Sequence, residues 1–242
     1  MPEDFFGADV AAQYDARLGE MGAPEVVAAT VDFLVEHARG GAALELGIGT
    51  GRIALPLQQR GVPVHGLDLS EAMIAQLRAK PGGDAIRVTV GDFAHARAPG
   101  SFRLVYLVFN TIMNLTSQDE QVACFYNAAE HLEPGGRFVI EVGVPALRRL
   151  PAGETLRPID VRDDYVGMDE LDTAEQRLTS HHIRLHDGQY ERVSVPFRYV
   201  WPAELDLMAR LAGMTLVERW ADWRRSPFTS ESRAHVSVWE KG

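Results

Sequence analysis

Between residues 42 and 142, short apolar runs alternate with segments whose apolar side chains recur at helical spacing. Ala42 to Leu46, Val62 to Leu67, Ile86 to Val90, Leu104 to Phe109 and Phe138 to Val142 read as buried strands, several of them rich in β-branched or aromatic residues. Arg52 to Arg60, Glu71 to Lys80, and Ser117 to His131 or Leu132 read as the helices between them. Ser70 is placed to cap the second helix, whose buried stripe is Met73, Ile74 and Leu77. Ser117-Gln118-Asp119-Glu120 has the form of a capping box, and Pro56 is an unfavourable residue inside the first helix. This rhythm predicts a parallel, doubly wound sheet. Two helices precede it. Ala8 to Leu18 carries Val10, Tyr14 and Leu18 at four-residue spacing, and Pro24 opens a helix with Val26, Val27, Val31, Phe33 and Leu34 on its apolar side.

After Pro145 the pattern changes. Residues 146–175 are polar and acidic, with Asp160, Asp163, Asp164, Asp169, Glu170 and Asp172, and read as a solvated loop or edge. Leu178 to Leu185 and Glu191 to Trp201 are alternating segments, and the Asp187-Gly188 step between them signals a hairpin. Pro202 to Ala212 reads as a helix ended by Gly213, followed by strands Met214 to Trp220 and His235 to Glu240.

The candidate chemistry gathers where the first strand ends. Ala43-Leu44-Glu45-Leu46-Gly47-Ile48-Gly49-Thr50-Gly51-Arg52 places three alternating glycines between a strand and a helix, where a backbone can approach a nucleotide-like ligand closely. The dinucleotide fingerprint would need a glycine at position 52, where Arg stands. An acid, Asp68, ends the next strand 17 residues past Gly51 and is suited to grip both hydroxyls of a ribose.

The glycine loop and the acidic strand end resemble those of the class I S-adenosylmethionine-dependent methyltransferases. Val90-Gly91-Asp92-Phe93 resembles the family's adenine-binding turn, and His131 to Gly136 followed by Arg137 to Ile140 its turn into strand five. The resemblance runs in order over about residues 40 to 145 and implies a Rossmann-like seven-stranded sheet, mostly parallel with an antiparallel C-terminal strand, plus an inserted β-hairpin. It implies one domain over 1–242: lid helices 1–38, a cofactor-binding core 40–145, a substrate-covering insertion 146–201, and a helix and closing strand pair 202–242. It implies S-adenosyl-L-methionine as cofactor, with Gly47, Gly49 and Gly51 around its methionyl end. Glu45 would face the ammonium, directly or through water. Arg52 would pair with the carboxylate or stand exposed in the first turn. Asp68 would take the ribose, and Leu69 and Met73 the adenine, with Met73 equally a core residue. Asp92 and Phe93 would bind the adenine edge. Asn110 lies where the family offers a backbone carbonyl. Tyr14 would close over the cofactor and the reacting atoms, or be a buried structural tyrosine.

Methyl transfer is an in-line displacement that depends mainly on alignment, and a base is needed only if the nucleophile arrives protonated. The candidates for catalysis are His182, Glu141 near the end of strand five, and Tyr14. His182, Arg184 and His186 share one face of the hairpin, opposite His181. The expected reaction carries a methyl group to an N or O atom of a small molecule, in secondary metabolism; the alternative is a regulatory or inactive protein that binds the same cofactor. A nucleotide-sugar or NAD enzyme is disfavoured by Arg52 and the antiparallel tail.

Composition narrows the acceptor. With 24 Lys+Arg against 34 Asp+Glu the net charge is −10, which repels a phosphate backbone, and no nucleic acid partner is expected. The end of strand four, Phe109-Asn110-Thr111-Ile112, lacks the Pro-Pro motif of nucleic-acid amine methyltransferases, and Cys124 is not in a Pro-Cys pair. No metal is expected, because His65 and His95 have no partners at ligand spacing. The lone cysteine and the absence of a signal-like or spanning apolar run give the expectation of a cytoplasmic protein without a membrane partner. A small-molecule methyl acceptor and a homodimer partner complete the expected associations.

Overall fold

The computed structural model describes residues 7–186 and 188–242; Asp187 of the expected turn and the first six residues lie outside them. In chain order, α1 (Ala8–Gln13) and α2 (Pro24–Ala38) precede β1 (Ala43–Leu46), α3 (Ala54–Gln59), β2 (Val64–Asp68), α4 (Glu71–Arg78) and β3 (Arg87–Val90). Then come β4 (Phe102–Leu107), α5 (Gln118–His131) and β5 (Leu132–Gly143). An insertion of β6 (Leu156–Arg162), β7 (Tyr165–Asp172), β8 (Arg177–His186) and β9 (Gln189–Arg198) follows, and α6 (Pro202–Leu211), β10 (Met214–Trp220) and β11 (Ala234–Lys241) close the chain.

The seven-stranded sheet has the order β10-β11-β5-β4-β1-β2-β3, with β11 antiparallel to both neighbours. The order reverses between β1 and β4, which opens a crevice at their carboxyl ends. Both faces are buried, so successive residues of one strand serve different cores. Leu44, Val105 and Leu107 pack with Phe125, Phe138 and Trp239 on the α5–α6 side. Ala43, Leu104 and Tyr106 pack with Phe33, Leu57 and Trp223 on the α2–α3 side.

The caps form as the sequence predicts. The Ser70 Oγ accepts the Met73 N–H at 3.3 Å, and Ser117 and Glu120 complete a reciprocal capping box. Pro56 is accommodated because α3 begins only at Ala54, so the proline falls in the first turn, where its missing N–H has no helical partner to lose. The first helix is shorter than expected. It ends at Gln13, and 3-10 turns at Asp15–Arg17 and Gly19–Gly22 carry the chain to Pro24.

The main correction lies at 146–175. The acidic stretch is not a solvated loop: it supplies β6 and β7, which pair antiparallel with each other and with β8. The expected hairpin forms as β8 and β9, and β6 and β7 extend it to a four-stranded sheet, β6-β7-β8-β9. Asp169 on β7 pairs across the strands with Arg157 on β6, whose Nη2 meets its Oδ2 at 2.5 Å. Arg198, at the end of β9, fastens this sheet to the body. The buried guanidinium donates to Gln121 Oε1 on α5 at 2.5 Å, to Glu204 Oε1 on α6 at 2.7 Å and to Gln176 Oε1 at 3.2 Å.

Removing one partner from a buried ion pair leaves the other uncompensated. Arg198→Met should cost about 3 kcal/mol in urea unfolding, whereas Arg148→Met, at the exposed Arg148–Glu231 pair, should cost under about 1 kcal/mol.

Candidate functional site

The loop after β1 turns because its three glycines adopt left-handed backbone angles, φ +73° at Gly47, +53° at Gly49 and +78° at Gly51. Side chains there would also lack space. A Cβ on Gly47 would stand 2.6 Å from Thr111 Cγ2, and one on Gly51 would overlap Leu77. Asp68, at the end of β2, braces the loop: its Oδ2 accepts the Gly49 N–H at 2.6 Å and its Oδ1 the Ser70 N–H at 2.9 Å. Its place at the strand end, beside the glycine loop, suits a ribose diol. Asp92, after β3, caps its own turn through the Ala94 N–H at 2.9 Å, beside Phe93. The glycine cradle, the two acids in sequence around the crevice and the half-exposed Leu69 fit an adenosyl cofactor with a methionyl tail.

Glu45 lies beneath this loop, fully buried, with the Tyr106 hydroxyl donating to Oε2 at 2.9 Å. Burial pushes its carboxyl up to about 8, against the pull of the Tyr106 hydrogen bond and of Arg52. Met73 is also buried and packs under Gly49, so the structure places it in the core below the loop. Tyr14 reaches over the site from the end of α1. Burial raises its phenol, and Arg52, Asp68 and Glu45 all act on it electrostatically. Arg52 spans the gap, donating to the Met21 carbonyl at 2.7 Å with its guanidinium 5.4 Å from the centre of the Phe109 ring.

A clasp that sequence reading missed holds the segment after α1 on the loop. Asp15 Oδ1 accepts the Thr50 hydroxyl at 2.6 Å, and Asp15 Oδ2 meets Lys80 Nζ at 2.5 Å. Lys80 donates in turn to the Thr50 carbonyl at 2.8 Å. No short motif could reveal it, because the partners are 30 and 35 residues from one another along the chain.

The end of β4 is drawn tight by β5. Phe109 and Asn110 both have positive φ, 58° and 60°. Glu141 accepts the Phe109 N–H at 3.0 Å on Oε2 and the Trp223 indole N–H at 2.9 Å on Oε1, while Asn110 Oδ1 accepts the Gly143 N–H at 2.6 Å. Both oxygens of Glu141 are thus engaged, and its side chain borders a cavity of about 410 Å³ shared with α2 and His235.

A second cavity, about 350 Å³, opens where β4 and β5 end. Asn110, Met113 and Gly143 form its floor, and the inner face of the inserted sheet forms its roof through Asp169, Leu171, Leu178, Ser180, Phe197 and Tyr199. His182 lies on that same face, one register step beyond Ser180. Its Nδ1 is 2.6 Å from the Tyr165 hydroxyl and its ring stacks on the tyrosine, so the structure brings it to the roof but not to the cavity lining. Arg157, Asp169 and Ser180 were not singled out from the sequence as site residues. Apolar and charged side chains fall on both parities of 165–172, which hides the strand and its inner face.

Comparisons with known proteins accord with this geometry. Residues 43–136 match a family model described as a methyltransferase domain. Cypemycin N-terminal methyltransferase from Streptomyces sp is 28% identical over 208 residues, 84% of each chain. Among solved structures, the CcbJ methyltransferase from Streptomyces caelestis is 40% identical with a TM-score of 0.86 over 98% of both chains. An S-adenosylmethionine-bound amino pentose methyltransferase from Micromonospora echinaspora, involved in calicheamicin biosynthesis, shares the fold at 22% identity and TM-score 0.69, over 99% of both chains. Among the described residues no helix is long and apolar enough to cross a membrane.

The raised Glu45 carboxyl has a measurable signature. The folded chain keeps this proton between the ordinary glutamate range and about pH 8 while the unfolded chain releases it, so the stabilisation present at low pH is lost as pH rises towards 8. Without cofactor, the unfolding free energy of the wild type relative to Glu45→Gln should fall by a few kcal/mol between pH 5 and pH 8.5 in urea titrations.

Proposed function

Since the chain belongs to the class I S-adenosylmethionine-dependent methyltransferases and acts on small molecules, we propose that it methylates a nitrogen of an acceptor seated in the cavity between the β4–β5 ends and the inserted sheet. The observation that carries this reading is the cavity's position. Its floor, Asn110 and Gly143, adjoins the crevice where the glycine loop and Asp68 hold the cofactor, and its roof is a separate sheet. The relative named as an N-terminal methyltransferase supports nitrogen over oxygen, and the acceptor is proposed to belong to secondary metabolism.

The bound cofactor supplies the sulfonium methyl that is transferred in line to the acceptor. The chain's own contribution is placement. Gly47, Gly49 and Gly51 let the backbone close on the methionyl end, with Arg52 available to its carboxylate. Asp68 takes the ribose hydroxyls, and Asp92 and Phe93 the adenine edge, with Leu69 against its face. Glu45 acts from beneath by tying β1, from which the loop springs, to Tyr106 on β4. Glu141 is a positioning residue that keeps Phe109 and Asn110 in their left-handed turn. Tyr14 and the clasped segment exclude water from above. Alignment of this kind accounts for much of the acceleration of a displacement. His182 lies on the roof outside the cavity lining, so it would draw off the proton of a charged amine through an intervening water.

Incubation with S-adenosylmethionine and a panel of matched small amines and alcohols, following S-adenosylhomocysteine release, should show turnover with amines only. Turnover confined to alcohols would overturn nitrogen as the target. Asp68→Ala should weaken S-adenosylhomocysteine binding in calorimetry by at least about tenfold, the loss of hydrogen bonds to a charged group. His182→Gln should lower kcat and leave that affinity unchanged.

A further inference from the structure

The acceptor cavity contains a single carboxylate among its lining residues, Asp169, and it is buried. Burying a carboxylate is costly unless it is paired and hydrogen-bonded, and Asp169 is only half provided for. Arg157 Nη2 meets its Oδ2 at 2.5 Å. Its Oδ1 has no hydrogen-bond partner among the described residues. The next row of the sheet is apolar, Leu171, Leu178 and Phe197, so a group entering here exchanges water for a low-polarity wall with one acceptor in it.

We propose that Asp169 is a specificity-determining residue that selects acceptors carrying a protonated amine, whose N–H it takes through Oδ1. The inference rests on the cavity being the acceptor site. Two arginines also border the cavity, and their effect must be weighed. Arg157 is charge-paired with Asp169 through Nη2, which offsets its field, and its Nε is buried without a partner. Arg233 is exposed at the rim, where salt and water screen it. The buried charge with an open oxygen therefore governs the interior, and the net charge of −10 favours the approach of cations. Arg157 has a positioning role: opposite Asp169 in the β6–β7 register, it holds the carboxylate with one edge towards the cavity.

The test uses the full chain saturated with S-adenosylhomocysteine at pH 7, titrated with benzylamine and with benzyl alcohol, which has the same shape without the charge. The methyl signals of Met113, Leu171 and Leu178 are followed by NMR. Benzylamine should bind about tenfold more tightly than benzyl alcohol, as expected of a hydrogen bond between charged groups. Asp169→Asn should abolish that preference. The double variant Arg157→Gln/Asp169→Asn removes both charges, spares the fold an unpaired cation, and should abolish it equally. Equal binding of the two probes to the wild type, or a preference that survives in either variant, would overturn the role of Asp169 while leaving the cavity as the acceptor site. Unmoved methyl signals with both probes would overturn the cavity reading and this inference together.

Discussion

One buried cation decides where the inserted sheet stands over the ends of β4 and β5. Arg198 is the point at which the inserted sheet stops being a separate ribbon and becomes a wall of the site, because its guanidinium is shared among α5, α6 and the strand connection at Gln176. The arrangement is directional. A planar donor with fixed angles holds the last residue of β9 at one height and one rotation above the β4 end, in a way that apolar packing alone would not. Gln121 reinforces it, donating to the carbonyls of Ile112, Leu115 and Arg198 itself. The floor and the roof of the cavity are thereby tied to one side chain each.

The two halves of the site follow different physics. The cofactor half is a backbone feature: positive φ angles, a strand end and a carboxylate that braces the turn. Such features need particular residues at particular spacings, so they are visible in a single chain. The proposed acceptor half is made of side chains on the inner face of a separate sheet. That division explains why the turn at Gly47, Gly49 and Gly51 and the strand-end acids Asp68 and Asp92 were legible from the sequence, while the inner-face residues Arg157, Asp169 and Ser180 were not.

The same reasoning applies to the fold. The inner parallel strands could be read because both their faces are buried and their residues are mostly apolar, and the half-exposed edge strand β3 because it is rich in β-branched residues. The caps at Ser70 and Ser117 could be read because a side chain and a backbone donor three residues away suffice. The strands at 156–172 escaped because β6 is exposed on both faces and β7 carries acids on both, so neither shows the apolar alternation that marks a strand. Pro56 misled in the opposite direction, since the loop geometry delays the helix start by two residues and makes the proline harmless.

The clasp of Asp15, Thr50 and Lys80 differs in kind from the Arg198 anchor. Asp15 and Lys80 keep 47% and 28% of their side-chain surface exposed, and contacts of this sort contribute only about 0.2–1 kcal/mol apiece. A cover fastened so lightly costs little to lift, and lifting it breaks none of the bonds by which Arg198 holds the inserted sheet.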